Sequence, residues 1–232
     1  MSKHGKNYQK SASGVEKNKL MSSVSAIEKA KELSYAKFDE SLDVSVNLGI
    51  DPLKGDQVVR GSVMLPHGSG KKTVVVVFAK GDYADQAKKA GADFVGSDDL
   101  IDKISKGWLD FNFAVATPDM MGSVGKLAKL LGPRGLLPNK KFGTVTFDVE
   151  SIVTDLKKGR LFFKNDKSGL VHFSFGKLSF DSASLSENLN AFIKALFSAK
   201  PSSSKGKFLK KITVSSSMGV GLSVNPDSFS RI

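Results

Sequence analysis

Seven consecutive residues, Thr73 to Ala79 (TVVVVFA), are β-branched or apolar with no polar break. A strand with water on one face alternates in polarity. An unbroken run of this length belongs in a strand covered on both sides, as in a parallel sheet flanked by helices. The residues that follow support such a layout. They predict a helix around Asp82–Ala90, a short strand at Asp93–Val95, a helix near Asp98–Lys106 and an apolar strand at Asn112–Ala116. Thr117-Pro118-Asp119 then caps another helix, with proline at its first position. A last helix starts at Asp148, turns Ile152, Val153 and Leu156 inward and stops at Gly159. Strands alternating with helices predict a three-layer, Rossmann-like α/β domain.

Both ends of the chain follow a different grammar. Leu42, Val44, Val46 and Leu48 alternate with Asp43, Ser45 and Asn47, the pattern of a half-buried strand. Ser25 to Glu28 reads as a capping box, opening a short helix with Val24, Ile27 and Leu33 as its buried stripe. GIDPLKGD is a turn, and Val58–Leu65 a second strand. From Arg160, LFFK, the tight turn NDKSG and LVHFSF predict a hairpin. A helix over Ser182–Ser198 carries Leu185, Leu189, Phe192, Ile193 and Leu196 at helical spacing, before a strand at Phe208–Val214 and a small-residue loop, SSSMGVG. The expected architecture combines α/β and α+β parts. Residues 1–67 and 160–232 form one discontinuous α+β domain, and 68–159 an inserted α/β domain. Residues 1–20, lysine-rich and without apolar periodicity, are expected to be a mobile basic arm. Pro66, Gly68, Gly70 and Gly159 stand at the crossings and are the expected hinges.

The chain carries a formal charge of +12, which points to a polyanionic partner. The charge is uneven: residues 1–67 net +2, residues 68–159 net +3 and residues 160–232 net +7. A domain built from both ends therefore holds most of the excess. No run approaches the roughly 18 apolar residues of a membrane span. The opening MSKHGKNYQK lacks the apolar core of a secretory signal, so a cytoplasmic protein with no membrane partner is expected. With no cysteine, disulfides, thiolate metal sites and thiol catalysis are excluded. His4, His67 and His172 have no local metal-ligand spacing, and no GxSxG elbow occurs. The Gly-Lys pairs lack the preceding glycine of a phosphate-cradling loop, and no GxGxxG follows Thr73–Ala79. No catalytic residue, metal or cofactor is expected.

Three places combine the groups that RNA recognition uses. AKFDES at Ala36–Ser41 sets a lysine, an aromatic ring and a hydroxyl just before the first strand, offering phosphate, stacking and 2′-hydroxyl contacts. Phe38 read alone serves equally well as the first core residue of that strand. NDKSG puts Lys167 and Ser168 at a turn tip, with His172 and Lys177 on the returning strand; most such turns are only turns. SSSMGVG at Ser215–Gly221 makes poor core and poor strand, but its small residues let backbone approach a ligand, and Met218 could cover a sugar or base face.

Lys126 to Lys141 reads KLAKLLGPRGLLPNKK. It predicts an amphipathic helix with Leu127, Leu130 and Leu131 on one face and Gly132 in the left-handed conformation at its end. A helix stop at Pro133, a basic loop and the strand-like GTVTF from Gly143 follow. The order resembles the signature of the L-one family of large-ribosomal-subunit proteins. The likeness extends over roughly Ser25 to Val224, through AKFDESLDVSVNLGIDP, VVRGSVMLPHGSGK, GADFVGSDDL, GWLDF, VATPDMMGSVGKLAKLLGPRGLLPN, NDKSG and SSSMG.

That resemblance implies a fold of two domains, one made from both chain ends, and a structural, non-enzymatic role. By similarity, ribosomal RNA would be held at Lys37, Phe38 and Ser41, at Lys167, Ser168 and His172, and at Ser217, Met218 and Gly219. Gly132, Pro133, Arg134, Gly135 and Pro138 match the family signature in the inserted domain. The implied partners are large-subunit ribosomal RNA, exit-site tRNA and the protein's own messenger RNA, with no obligate homo-oligomer. The implied tasks are building the mobile stalk, helping deacylated tRNA leave and repressing its own message, with the inserted domain swinging at the crossings. Departures are Ser217 where threonine is usual, Leu53 for a basic residue, Lys140 for proline and Val220 for proline. A nucleotide-dependent α/β enzyme with an RNA-binding appendage is the alternative, and a nonspecific basic protein a blander one.

Overall fold

The computed structural model describes residues 5–16, 19–204 and 206–229, so His4 lies outside the described residues. The chain divides into two compact units, Met1–Gly70 with Leu161–Ile232, and Lys71–Arg160. In chain order the elements are α1 (Lys6–Ser13), α2 (Ser23–Glu32), β1 (Ser41–Leu48) and β2 (Arg60–Met64). Next come β3 (Val75–Phe78), α3 (Asp82–Lys89), β4 (Phe94–Gly96), α4 (Asp98–Ser105), β5 (Phe113–Ala116), α5 (Met121–Val124), α6 (Ala128–Leu131) and α7 (Val149–Lys158). The chain returns through β6 (Arg160–Lys164), β7 (Leu170–Lys177), α8 (Ser182–Ser198), β8 (Leu209–Ser216) and β9 (Leu222–Val224).

In the end-built unit, the antiparallel sheet runs β7-β1-β8-β9. β1 is central, with Val44 opposite Phe173 on one side and Val214 on the other. Its even residues are buried, as the alternation requires. Leu185, Leu189, Phe192, Ile193 and Leu196 of α8 are all fully buried against this sheet. Each such burial contributes about 1.5–3 kcal/mol. Phe192 stacks on Phe173 at 4.3 Å and meets Phe163 edge-on at 5.6 Å.

The aromatic contact at Phe163 explains why the expected hairpin goes no further than one antiparallel bridge, Asn165 with Val171. The NDKSG turn is present: Asp166 Oδ1 accepts the N–H groups of Ser168 and Leu170, and Gly169 takes φ +76°. The flanking strands nevertheless part, β6 pairing with β2 in its own two-stranded sheet and β7 with β1. Backbone hydrogen bonds are satisfied either way, so burial of Phe163 decides the outcome. Asn165 fixes the parting point by accepting from Val59 N–H through Oδ1 (2.9 Å) and donating its own N–H to Val59 O (3.0 Å).

Part of the segment expected to be a mobile basic arm is helical, as α1, where Ser11 Oγ donates to Leu33 O, and Val15 beyond it is buried. Helix α2 is capped by Ser22, whose Oγ accepts from Ser25 N–H at 3.2 Å, so the cap lies three residues before the expected box. Val24 consequently points to solvent, while Ile27 is buried.

The inserted unit holds a parallel sheet ordered β4-β3-β5. All four residues of β3 are buried on both faces. Val76 and Phe78 pack with Leu100, Ile104, Leu127 and Leu131, and α3 and α7 lie against the sheet as well. The signature segment departs from a single helix: α5 and α6 are one-turn pieces joined by 3-10 turns, in a stretch weakened by Gly122 and Gly125. Leu127 and Leu131 are buried but Leu130 is exposed. Gly132 is right-handed (φ −58°), and Gly135 (φ +72°) makes the left-handed turn instead. GTVTF makes only a bridge, Ala116 with Val145.

Candidate nucleic-acid interface

Alternation in β1 turns one face of the four-stranded sheet into the core and leaves the other polar. On that outer face Ser45 sits between His172 of β7 and Thr213 of β8, and Asn47 lies beside Lys211. Ser45 Oγ and His172 Nδ1 are 2.9 Å apart. These neighbours are two hydroxyls, an amide, an imidazole and one lysine, with the acid Asp43 farther along the same face between Ser174 and Ser215; all but the acid are groups that reach ribose and phosphate.

One end of this sheet carries most of the residues singled out from sequence. Phe38 is 59% exposed and Met218 is 53% exposed, large apolar side chains held in water. Phe38 is therefore not the first core residue of β1. Lys37 beside it is exposed as well. The loops bearing them are stitched together by backbone. Ser41 N–H donates to Ser217 Oγ (3.1 Å), and Ser41 O accepts the Ser217 N–H (3.0 Å) and O–H (3.3 Å). Ser217 thus spends its hydroxyl on β1 while remaining exposed at the rim.

Beneath this rim lies Glu40, whose side chain sequence reasoning passed over. It is completely buried. Oε1 accepts from Ala36 N–H and Ser34 Oγ, and Oε2 from Met218 N–H, each at 3.2 Å. Burial alone would raise its pKa. Donors directed at it by Ser216, Met218 N–H, Ser34 and Ala36 N–H outweigh that effect and hold the carboxyl below the ordinary glutamate range. The Ser216 hydroxyl is buried and reaches full hydrogen-bond geometry with no described partner, so its influence is that of a nearby dipole. Tyr35 adds a second tie, its O–H donating to Met218 O at 2.8 Å. A charged, buried carboxylate thus ties the loop of exposed Phe38 to the loop of exposed Met218.

Gly219 completes the turn. A Cβ there would stand 2.3 Å from Ser216 Oγ, so close approach rather than φ demands glycine. Beside the turn, Tyr8, Gln9, Ala12 and Ser13 of α1 line a cleft with Val220 and Gly221.

The remaining residues lie elsewhere. His172 is midway along the sheet. Lys167 and Ser168 sit in the turn before β7, whose Gly169 O accepts from Leu48 N–H at the far end of β1. Seven residue steps of strand place them roughly 23 Å from Ser41. The structure gathers Lys37, Phe38, Ser41, Ser217, Met218 and Gly219, and leaves Lys167 and Ser168 separate. In the inserted unit, Pro133, Arg134 and Gly135 are exposed and Pro138 is buried. Of the expected hinges, His67 N–H donates to Asn188 Oδ1 (3.1 Å) and Asn188 Nδ2 donates to Gly68 O (3.1 Å) and Phe175 O (2.9 Å). The stretch from Pro66 to Gly68 is thereby fastened to α8, and Gly70 lies against Lys177 and Phe180.

Residues 30–220 match the Ribosomal protein L1p/L10e family. The chain belongs to this family. It is 50% identical over 226 residues to the large ribosomal subunit protein uL1 of Desulfotalea psychrophila, covering 97% of this chain and 96% of the relative. It is 53% identical, with the same coverage, to the protein of that name from Mycolicibacterium vanbaalenii. Family membership accounts for the mixed α/β fold and agrees with a chain in which no catalytic motif could be found. Tyr35 and Thr213 lie outside the quoted motifs, and Glu40 and Ser45 lie inside AKFDESLDVSVNLGIDP without being given a role. The alternation in β1 already places Ser45 outward, whereas Glu40 is a buried acid just before that strand, where no pattern marks it.

Proposed function

We propose that this protein is a structural component of the large ribosomal subunit that grips ribosomal RNA with its end-built unit. Exposed Phe38 and Met218, on two loops joined through the buried Glu40 carboxylate, carry this reading. Exposed apolar side chains on preordered loops stack against ribose or bases without the further cost of ordering the backbone. Ser45, His172, Thr213 and Lys211 extend the contact along the sheet, with 2′-hydroxyl and phosphate groups as natural partners. Lys167 and Ser168 form a second, separate phosphate contact about one strand length away.

The family and its relatives' names support the coarser role. The finer ones are likewise our reading: forming the mobile stalk by the exit site, helping deacylated tRNA depart, and repressing the protein's own messenger RNA where that message imitates the ribosomal site. All place the protein in the cytoplasm. Among the described residues no helix is long and apolar enough to cross a membrane. Because Asn188 fastens Pro66–Gly68, a pivot between the units would follow Gly70 on one strand and adjoin Gly159 on the other.

The test is binding of a large-subunit RNA fragment against a scrambled duplex over a salt series. Met218→Ala and Phe38→Ala should each weaken cognate RNA by about 1–3 kcal/mol while leaving the salt slope unchanged, since neither meets phosphate. Equal losses on scrambled duplex would overturn specific recognition.

A further inference from the structure

The inserted unit carries an aromatic corner that the signature motif and the RNA interface leave unused. Helix α4 ends at Gly107, whose φ of +101° lets its N–H reach Ile104 O (2.9 Å) and the next N–H, of Trp108, reach Lys103 O (3.2 Å). This paired closure is a Schellman ending, and it folds Trp108 back beside the last turn of its own helix. There the indole meets Phe94 of edge strand β4 edge-on, with ring centres 4.7 Å apart at 73°. Phe111 supports it from behind at 5.6 Å. Phe94 is 39% exposed, so the corner opens to water.

Lys103 and Lys106, one helical turn apart, complete the lining of this cleft of about 330 Å³, which contains no acid. Neither lysine forms an ion pair among the described residues. Two nearby acids have other partners, Asp93 accepting from Lys157 Nζ (2.6 Å) and Val75 N–H (2.8 Å) and Asp98 pairing with Lys80 (3.3 Å), while Asp99 and Asp102, each four residues before Lys103 and Lys106 on α4, do not line the cleft. Two cations at this spacing repel each other mildly, Asp99 and Asp102 one turn earlier offset part of that cost, and an anion in the cleft would relieve the rest. The volume is at the lower end for ligand-holding clefts. That suits one planar group rather than an extended chain.

We propose that this corner binds an unpaired nucleotide of single-stranded RNA, its base against Phe94 and Trp108 and its phosphates on Lys103 and Lys106. A flat π-face for stacking and flanking lysines for the backbone are the two elements of sequence-tolerant single-strand binding. An acidic peptide would satisfy the lysines but leave the exposed ring faces uncovered. The site lies in the inserted unit and goes beyond the interface proposed above, so either can fail without the other.

Trp108 is the only tryptophan in the chain, and its emission in the full-length protein reports this site alone. Hexa-adenylate, an abasic hexanucleotide of equal charge and hexaglutamate serve as probes. Hexa-adenylate should quench Trp108 saturably, and the abasic strand and hexaglutamate should not. Lys103→Ala with Lys106→Ala should raise the half-saturating concentration at least roughly fivefold, because two phosphate contacts are lost. Phe94→Leu keeps the apolar packing but removes a ring face, and should abolish saturable quenching. Equal quenching by the abasic strand or by hexaglutamate would overturn the assignment, as would undiminished affinity in the double lysine variant. Absence of quenching while cognate ribosomal RNA still binds would sink this site and leave the first interface standing.

Discussion

Replacing Glu40 by glutamine changes almost nothing in volume and everything in hydrogen bonding. The carboxylate accepts at both oxygens, from Ser34 and Ala36 on one side and Met218 on the other. A glutamine keeps one acceptor and turns an NH2 group toward the donors on the opposite side. If the oxygen stays with Ser34 and Ala36, the partly buried Met218 N–H faces another donor and loses its partner. Losing that charge-assisted bond costs about 2 kcal/mol. In a domain of this size that lowers Tm by about 4–8 °C. Calorimetry on the full chain should show two transitions, one per unit, of which only one moves.

The pH dependence sharpens the test. Glu40's pKa is lowered on folding, so near its titration the carboxyl group binds fewer protons in the native state than in the unfolded one. The stability it contributes is fully present above the unfolded value, about 4.3 for glutamate. It is lost as pH falls through the lower folded value. The gap in stability between the native protein and Glu40→Gln should therefore persist from neutral pH to about 4.3 and close only below it. Cognate RNA affinity should drop with the same substitution, because the Met218 loop must then be ordered on binding. Unchanged Tm together with unchanged affinity would refute the view that this carboxylate builds the interface.

Lys167→Ala should reduce the slope of log K against log salt by about 0.7–0.9, the loss of one phosphate contact, and affect cognate and scrambled RNA alike. Gly219→Ala should weaken RNA binding, and adding Ser216→Ala should restore most of it, since the clash is with Ser216 Oγ alone; equal defects in single and double variants would contradict that geometry. Asn188→Ala strands His67 N–H and the Gly68 and Phe175 carbonyls, and should destabilise the end-built unit by about 2–3 kcal/mol in urea titrations.

Much of the fold was legible because it rests on local periodicity. The alternation in Ser41–Leu48, the unbroken run at β3 and the helical spacing in α8 each imply a burial pattern that any tertiary context must respect. Expectations failed where two local solutions were close in energy. β6 and β7 have a good hairpin turn between them, yet a buried aromatic contact to α8 draws them into separate sheets. Gly132 and Gly135 both stop a helix in principle, and only the path of the chain after α6 selects the second.

The candidate site divides in the same way. Its conspicuous residues, Phe38, Ser217, Met218 and Gly219, were visible as odd composition in loops. What holds them was invisible, since Glu40 and Met218 are 178 residues apart in the chain. Sequence by itself determined the two grammars, the excess charge of the chain ends and the family, because periodicity, charge and motif are local properties. Tertiary structure alone decided that Phe38 faces water, that a buried carboxylate joins two distant loops, and that Lys167 stands a strand's length from them. Each of these depends on which distant groups exclude solvent or donate a hydrogen bond, and sequence separation carries no record of that.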